Sequence, residues 1–218
     1  MIDKSLPKFL VGLEKFDAGN YPHCELPEGY TVHMYEPNMG YEDAFARMWV
    51  ACGQFVDFNN ARAVFVREFL STPELDPHER CLFIKAPDGE IMATCSMWMG
   101  TDLDETPTPR MHYLIVGDGH EGKGIARALV SKMMELHQKL EQGDYVYLTT
   151  TSWNFHAINI YLDFGFKPCM NKKPRSKALE AIPYEEWVKT NAERWDMLLE
   201  KMNAYRARKG KAPYRLSE

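Results

Sequence analysis

The stretch GDGHEGKG, residues 117–124, decides how this chain is read. It contains Gly117-x-Gly119-x-x-Gly122, follows the apolar run Tyr113-Leu114-Ile115-Val116, and precedes the helical pattern Ile125-Ala126-Arg127-Ala128-Leu129-Val130. A strand, a glycine turn and a helix are the setting of a dinucleotide-binding fingerprint. Glycines let a backbone approach a phosphate closely and aim successive N–H groups at it. The helix adds its first unpaired N–H groups and its positive dipole end. An anion held there needs no lysine or arginine. The pattern asks for a phosphate-bearing ligand without naming it.

A dinucleotide site makes a further demand: a carboxylate roughly 20 residues on, at the end of the next strand, for a ribose hydroxyl. That strand ends in Thr149-Thr150-Thr151-Ser152, with no acid. A nucleotide-binding P-loop needs Lys-Ser or Lys-Thr after its last glycine, whereas Lys123 is followed by Gly124.

Outward from the loop, YTVHMYEP (30–37) alternates as a strand, and residues 40–55 put Ala44, Met48 and Cys52 on one helical stripe. Residues 59–72 read as a helix starting at an Asn cap. Two β-rich runs in 81–100 flank Pro87-Asp88-Gly89, a hairpin signal. MHYLIV (111–116) is the next strand. The helix after the glycines runs to Glu141, with Ile125, Leu129, Met133, Leu136 and Leu140 on its stripe. YVYLTTTS (145–152) is a strand, Asn154 caps a short helix ending near Gly165, and FKPCM (166–170) is a last strand. A long helix follows from Pro183, with Trp187, Trp195, Leu198, Leu199, Met202 and Tyr205 and a basic end. It reads as a packing or dimerisation helix, or as a surface for an acidic partner. The central hairpin argues for a mixed sheet with helices on both sides rather than uniform βαβ winding.

With the frame shifted, Val116-x-x-x-x-x-Gly122-Lys123-Gly124-Ile125-Ala126-x-x-Leu129 resembles the pyrophosphate loop of the GNAT superfamily, the acetyl-CoA-dependent N-acetyltransferases. Asn154-x-x-Ala157-x-x-x-Tyr161-x-x-x-Gly165-Phe166 is similar to that family's next helix. The resemblance spans about residues 29–171 and implies an α/β (α+β) fold, a GNAT-like mixed central sheet flanked by helices on both faces, here with an additional C-terminal helix. Residues 1–28 are then expected to be an N-terminal extension, 29–171 the acetyl-CoA-binding domain and 172–218 a C-terminal helical extension. The family usually carries Gln or Arg at the position of Gly119, often Pro at Asp118 and often Arg at Glu121, so polar support for the phosphates is missing or reversed here.

The resemblance implies that the backbone of Leu114 and Val116 binds pantetheine, with one of their N–H groups facing the thioester oxygen. Gly122, Lys123, Gly124, Ile125 and Ala126 would cradle the pyrophosphate, with Asn154 on the cofactor arm and Tyr161 the acid for the leaving thiolate. A packing role for Tyr161 and a capping role for Asn154 stay open. A base is also needed, because an amine with a pKa near ~10.4 is a nucleophile only when neutral. His112 is the candidate. Alternation puts it on one face with Leu114 and Val116, and a hydrogen-bonded strand histidine is the other reading. Asp102, Asp104 and Glu105 are either a solvated charge run or an attractor for a cationic substrate. Trp49, Trp98 and Trp153 are core residues or pocket walls. His120 touches phosphate or solvent.

The formal net charge of −5 gives no support to a nucleic-acid partner. The five scattered cysteines show no C-x-x-C and no zinc-ligand spacing, so no metal is expected, and Cys169 is expected to be buried. The first residues lack a signal-peptide pattern and no apolar run is long enough to span a membrane. A cytoplasmic location follows by elimination. The expected function is acetyl transfer from acetyl-CoA to a primary amine, of a small molecule, by direct attack in a ternary complex. A protein lysine or N-terminal amine as acceptor, and a non-catalytic CoA-binding sensor, remain as alternatives. A homodimer through the C-terminal helix also stays open.

Overall fold

A computed structural model describes residues 3–72, 74–141 and 143–216. The strands hydrogen-bond in the order β2-β3-β4-β5-β6-β1-β7, a mixed sheet in which β5 and β6 run parallel while β1–β6, β1–β7, β2–β3 and β3–β4 run antiparallel. With helices on both sides and one more at the C-terminus, this is the expected fold class. The chain forms two compact units. One comprises Met1–Tyr21, Met99–Arg110 and Gly143–Glu218, the other Pro22–Trp98 and Met111–Gln142.

The second unit holds β2 (Thr31–Met34), α1 (Tyr41–Ala51), α2 (Phe58–Phe65) with a π-helical turn at Val66–Leu70, α3 (Pro77–Arg80), β3 (Cys81–Lys85), most of β4 (Ile91–Gly100), the later part of β5 (Thr108–Val116) and α4 (Ile125–Glu141). The predicted hairpin is present. Gly89 takes φ +87°, and Ala86 N–H donates to Glu90 O across the turn. The second helix starts two residues earlier than the Asn cap predicted: Asp57 is the cap, its carboxylate accepting from Asn60 N–H at 2.8 Å. On α4, Ile125, Leu129 and Met133 are buried as expected, but Leu136 and Leu140 are only half-buried and His137 is fully buried between them. The core of this unit is aromatic: Tyr35, Tyr41, Phe45, Phe65, Phe69, Phe83 and Trp98 pack as one cluster. Burying each such ring contributes about 1.5–3 kcal/mol.

The first unit holds β1 (Leu10–Lys15), the start of β5, β6 (Val146–Thr151), a 3₁₀ turn (Ser152–Asn154), α5 (Phe155–Asp163), β7 (Lys167–Pro168), α6 (Lys177–Glu180) and α7 (Tyr184–Arg208). Leu10–Lys15, within the stretch read as an extension, pairs with both β6 and β7. Its glycine has a steric reason: a Cβ on Gly12 would lie 3.2 Å from Cys169 Cβ and from Leu103. Helix α7 buries Trp187, Asn191, Trp195, Leu198 and Met202, a stripe at helical spacing. Its basic end turns back onto α5, where Arg206 bonds Asn159 and Asp163, and Lys211 bonds Asp163 at 2.8 Å. Packing, the simplest of the expected roles, is thus what this helix does within its unit.

Candidate functional site

In the second unit, β5 delivers the chain to the glycine turn. Gly117 N–H donates to Met92 O at 2.7 Å, and a Cβ on Gly117 would press to 3.1 Å on that same oxygen. Gly119, Gly122 and Gly124 follow with φ of +82°, +76° and +86°. A Cβ at any of these three meets nothing within 4 Å. Backbone conformation, not space, therefore demands glycine there. Arg127 and Ala128 N–H both donate to Gly124 O and start α4. The main chain from Gly122 to Ala126 thus has the left-handed turns and the helix start that an anion cradle requires.

Side chains around the turn fix its shape. Tyr30 OH bonds His120 Nδ1 at 3.0 Å and accepts from Lys123 Nζ at 3.3 Å. Glu121 folds back so that its Oε2 accepts from Gly119 N–H at 2.8 Å. This carboxylate therefore occupies one of the main-chain N–H groups of the turn.

Leu114 and Val116 are half-buried on β5, on either side of buried Ile115. The simple alternation that placed His112 with them breaks down one residue earlier. Tyr113 has φ +52°, a left-handed conformation that a bulky residue rarely adopts. As a result the His112 and Tyr113 rings, which a regular strand would send to opposite faces, lie 3.9 Å apart between centroids. Both reach one carboxylate. His112 Nε2 is 3.0 Å from Glu68 Oε2, and Tyr113 OH donates to Glu68 Oε1 at 3.2 Å. Phe45, Trp49 and Phe69 rings lie 5.2, 5.3 and 5.8 Å from the Tyr113 ring. Trp49 is therefore a wall of this aromatic cluster, whereas Trp98 is core against Phe69. Glu68, 44 residues before His112, stands in no motif, so sequence reasoning did not find it.

In the first unit, Asn154 sits at the start of α5 without a side-chain cap bond; its Nδ2 instead donates to Thr150 Oγ1 at 3.1 Å. Tyr161 is buried on α5, edge-on to Phe166 at 5.9 Å, and its carbonyl accepts from Phe164 and Phe166 N–H. Trp153 is tied to the N-terminal segment through Leu6 O. The acidic run divides: Asp102 and Asp104 are partly buried in ion pairs, whereas Glu105 is 91% exposed. Asp102 bonds Arg110, Tyr147 and Thr149; Asp104 bonds Lys172 and Tyr145; Glu105 bonds Arg175. Burial, then the Asp102 charge, pushes the Tyr147 hydroxyl well above its usual range. Burial pushes the Cys169 thiol up to about 12, so it stays protonated and is a poor nucleophile. Among the described residues, no group of His, Cys, Asp or Glu could hold a metal ion, and no helix is long and apolar enough to cross a membrane.

The family model for the acetyltransferase (GNAT) family matches residues 32–166, and the chain belongs to that family. Among solved structures, a GCN5-related N-acetyltransferase from Sphaerobacter thermophilus is similar at 19% identity and a TM-score of 0.57, over 73% of this chain and 48% of that one. An acetyltransferase of the GNAT family from Colwellia psychrerythraea is similar at 14% identity and TM-score 0.53, over 76% and 55%. A tandem GNAT protein from the clavulanic acid biosynthesis pathway is similar at 14% identity and TM-score 0.53, over 77% and 52%. The chain thus spans about half the length of these structures, and the likeness is one of fold. Comparison with curated proteins found no match.

Proposed function

We propose that this GNAT-family chain transfers an acetyl group from acetyl-CoA to the primary amine of a small molecule, in a ternary complex. The observation that carries the reading is the run of left-handed glycines, Gly119, Gly122 and Gly124, leading into α4 with open space beside each. Gly122, Lys123, Gly124, Ile125 and Ala126 would hold the pyrophosphate through main-chain N–H groups, and the backbone of Leu114 and Val116 would bind the pantetheine arm. Acetyl-CoA supplies the activated acyl group.

The chain's own residues move the protons. His112 takes one proton as the ammonium becomes a nucleophile. A main-chain N–H at Leu114 or Val116 stabilises the charge that develops on the carbonyl oxygen. The nitrogen–carbon bond forms, the carbon–sulfur bond breaks, Tyr161 protonates the sulfur, and the amide nitrogen releases its second proton to solvent. The roles of Tyr161 as acid and Asn154 as a cofactor contact rest on their places in the family's helix motif. The aromatic walls Phe45, Trp49, Phe69 and Tyr113 beside His112 favour an acceptor with an apolar body.

The test is thiol release from acetyl-CoA across a panel of small amines, with Tyr161→Phe beside the parent. Amine-dependent release that falls at least about tenfold in the variant is expected. Stabilisation by CoA with no release across the panel would instead establish a non-catalytic binder.

A further inference from the structure

We infer that Glu68 is a positioning residue for His112: it fixes the imidazole tautomer and supports the positive charge that the ring acquires when it takes the acceptor's proton. This deepens the acetyltransferase reading and rests on His112 being its base. The observations are geometric. A carboxylate 3.0 Å from His112 Nε2 accepts the proton borne there, which places the ring's lone pair on Nδ1. Tyr113 OH donates to the other oxygen of the same carboxylate, so Glu68 is held from two sides. Its own backbone is pinned by Thr72, whose Oγ1 donates to Glu68 O at 2.9 Å.

Two departures from regular geometry meet at this one carboxylate. Glu68 lies on the π-helical turn Val66–Leu70, and such turns are rare and concentrate at functional sites. Tyr113 is held at φ +52°, a conformation that persists only where its surroundings enforce it. A regular β5 would point Tyr113 away from His112; the left-handed residue brings both to Glu68. Arg67 also faces this carboxylate, its Nη2 3.5 Å from Glu68 Oε1; Glu68 is about one-third exposed and Arg67 is 67% exposed. A protonated His112 sets its positive charge directly against the carboxylate that its Nε2 faces.

Nitrogen-15 NMR of the parent at high pH reads the tautomer directly. The neutral His112 ring is expected to carry its proton on Nε2; a ring protonated on Nδ1 overturns the inference. This readout needs neither turnover nor a variant, so it stands even where the amine panel shows no acetylation. In kinetics, Glu68→Gln keeps the shape and removes the charge. It is expected to lower kcat about tenfold or more, leave KM for acetyl-CoA within about twofold, and move the acid limb of kcat to lower pH. Glu68→Asp should recover part of kcat. A Glu68→Gln protein with parental kcat and an unmoved acid limb overturns the positioning role.

Discussion

Two carboxylates, Asp102 in one unit and Glu68 in the other, each gather hydroxyl and cationic partners, and their partners set them apart. Asp102 faces Arg110 at 3.0 Å, accepts from Tyr147 OH at 3.1 Å and Thr149 Oγ1 at 2.8 Å, and both members of the ion pair are 19% exposed. Arg110 also donates to Thr149, so the network closes on itself where β5 pairs with β6, Arg110 opposite Tyr147. A guanidinium keeps its charge at every accessible pH. Glu68 has an imidazole instead, a partner whose charge changes with the proton it carries. The first arrangement holds strands in place. The second can take up a proton and give it back.

The comparison can be broken by substitution, and the largest expected effect is on stability. Asp102→Ala strands the Arg110 charge inside its unit and should lower the unfolding free energy by about 3 kcal/mol in urea titration. A loss below about 1 kcal/mol would remove the structural role assigned to this network. A middle-sized effect is expected in the glycine turn, where conformation alone demands glycine. Gly124→Ala forces a side chain into φ +86°, a strain of about 1–2 kcal/mol, and should weaken acetyl-CoA binding about tenfold by calorimetry. Parental affinity would show that this turn is not the cradle. The smallest effect concerns Glu121, whose carboxylate occupies Gly119 N–H. Glu121→Gln removes a negative charge near the phosphates and should tighten acetyl-CoA binding about threefold. An unchanged or weaker affinity would assign Glu121 to shaping the turn alone.

Much of the fold was legible because its signals are local. The hairpin at Asp88-Gly89, the glycine turn and the stripes of α4 and α7 are each written in adjacent residues. Strand β1 was not, because LVGLEK has no clean alternation and its Gly12 is explained only by Cys169 and Leu103, far away in sequence. The glycine turn was readable for the same reason as the hairpin: positive-φ glycines before a helix leave a mark in the sequence. Glu68 left none. Its meaning depends on a π-helical turn and on one strained tyrosine 45 residues later, and neither follows from propensity or period. The pairing of Asp102 and Asp104 left no mark either, since Arg110 lies on β5, Tyr147 and Thr149 on β6, Tyr145 just before β6 and Lys172 after β7.

The measurement that bears most directly on the acetyltransferase reading is a crystal structure of the chain grown with coenzyme A. The diphosphate is expected against the main-chain N–H groups of residues 122–126, with the pantetheine arm hydrogen-bonded to the backbone of Leu114 and Val116. Coenzyme A bound elsewhere, or a glycine turn left vacant at saturating ligand, would contradict it.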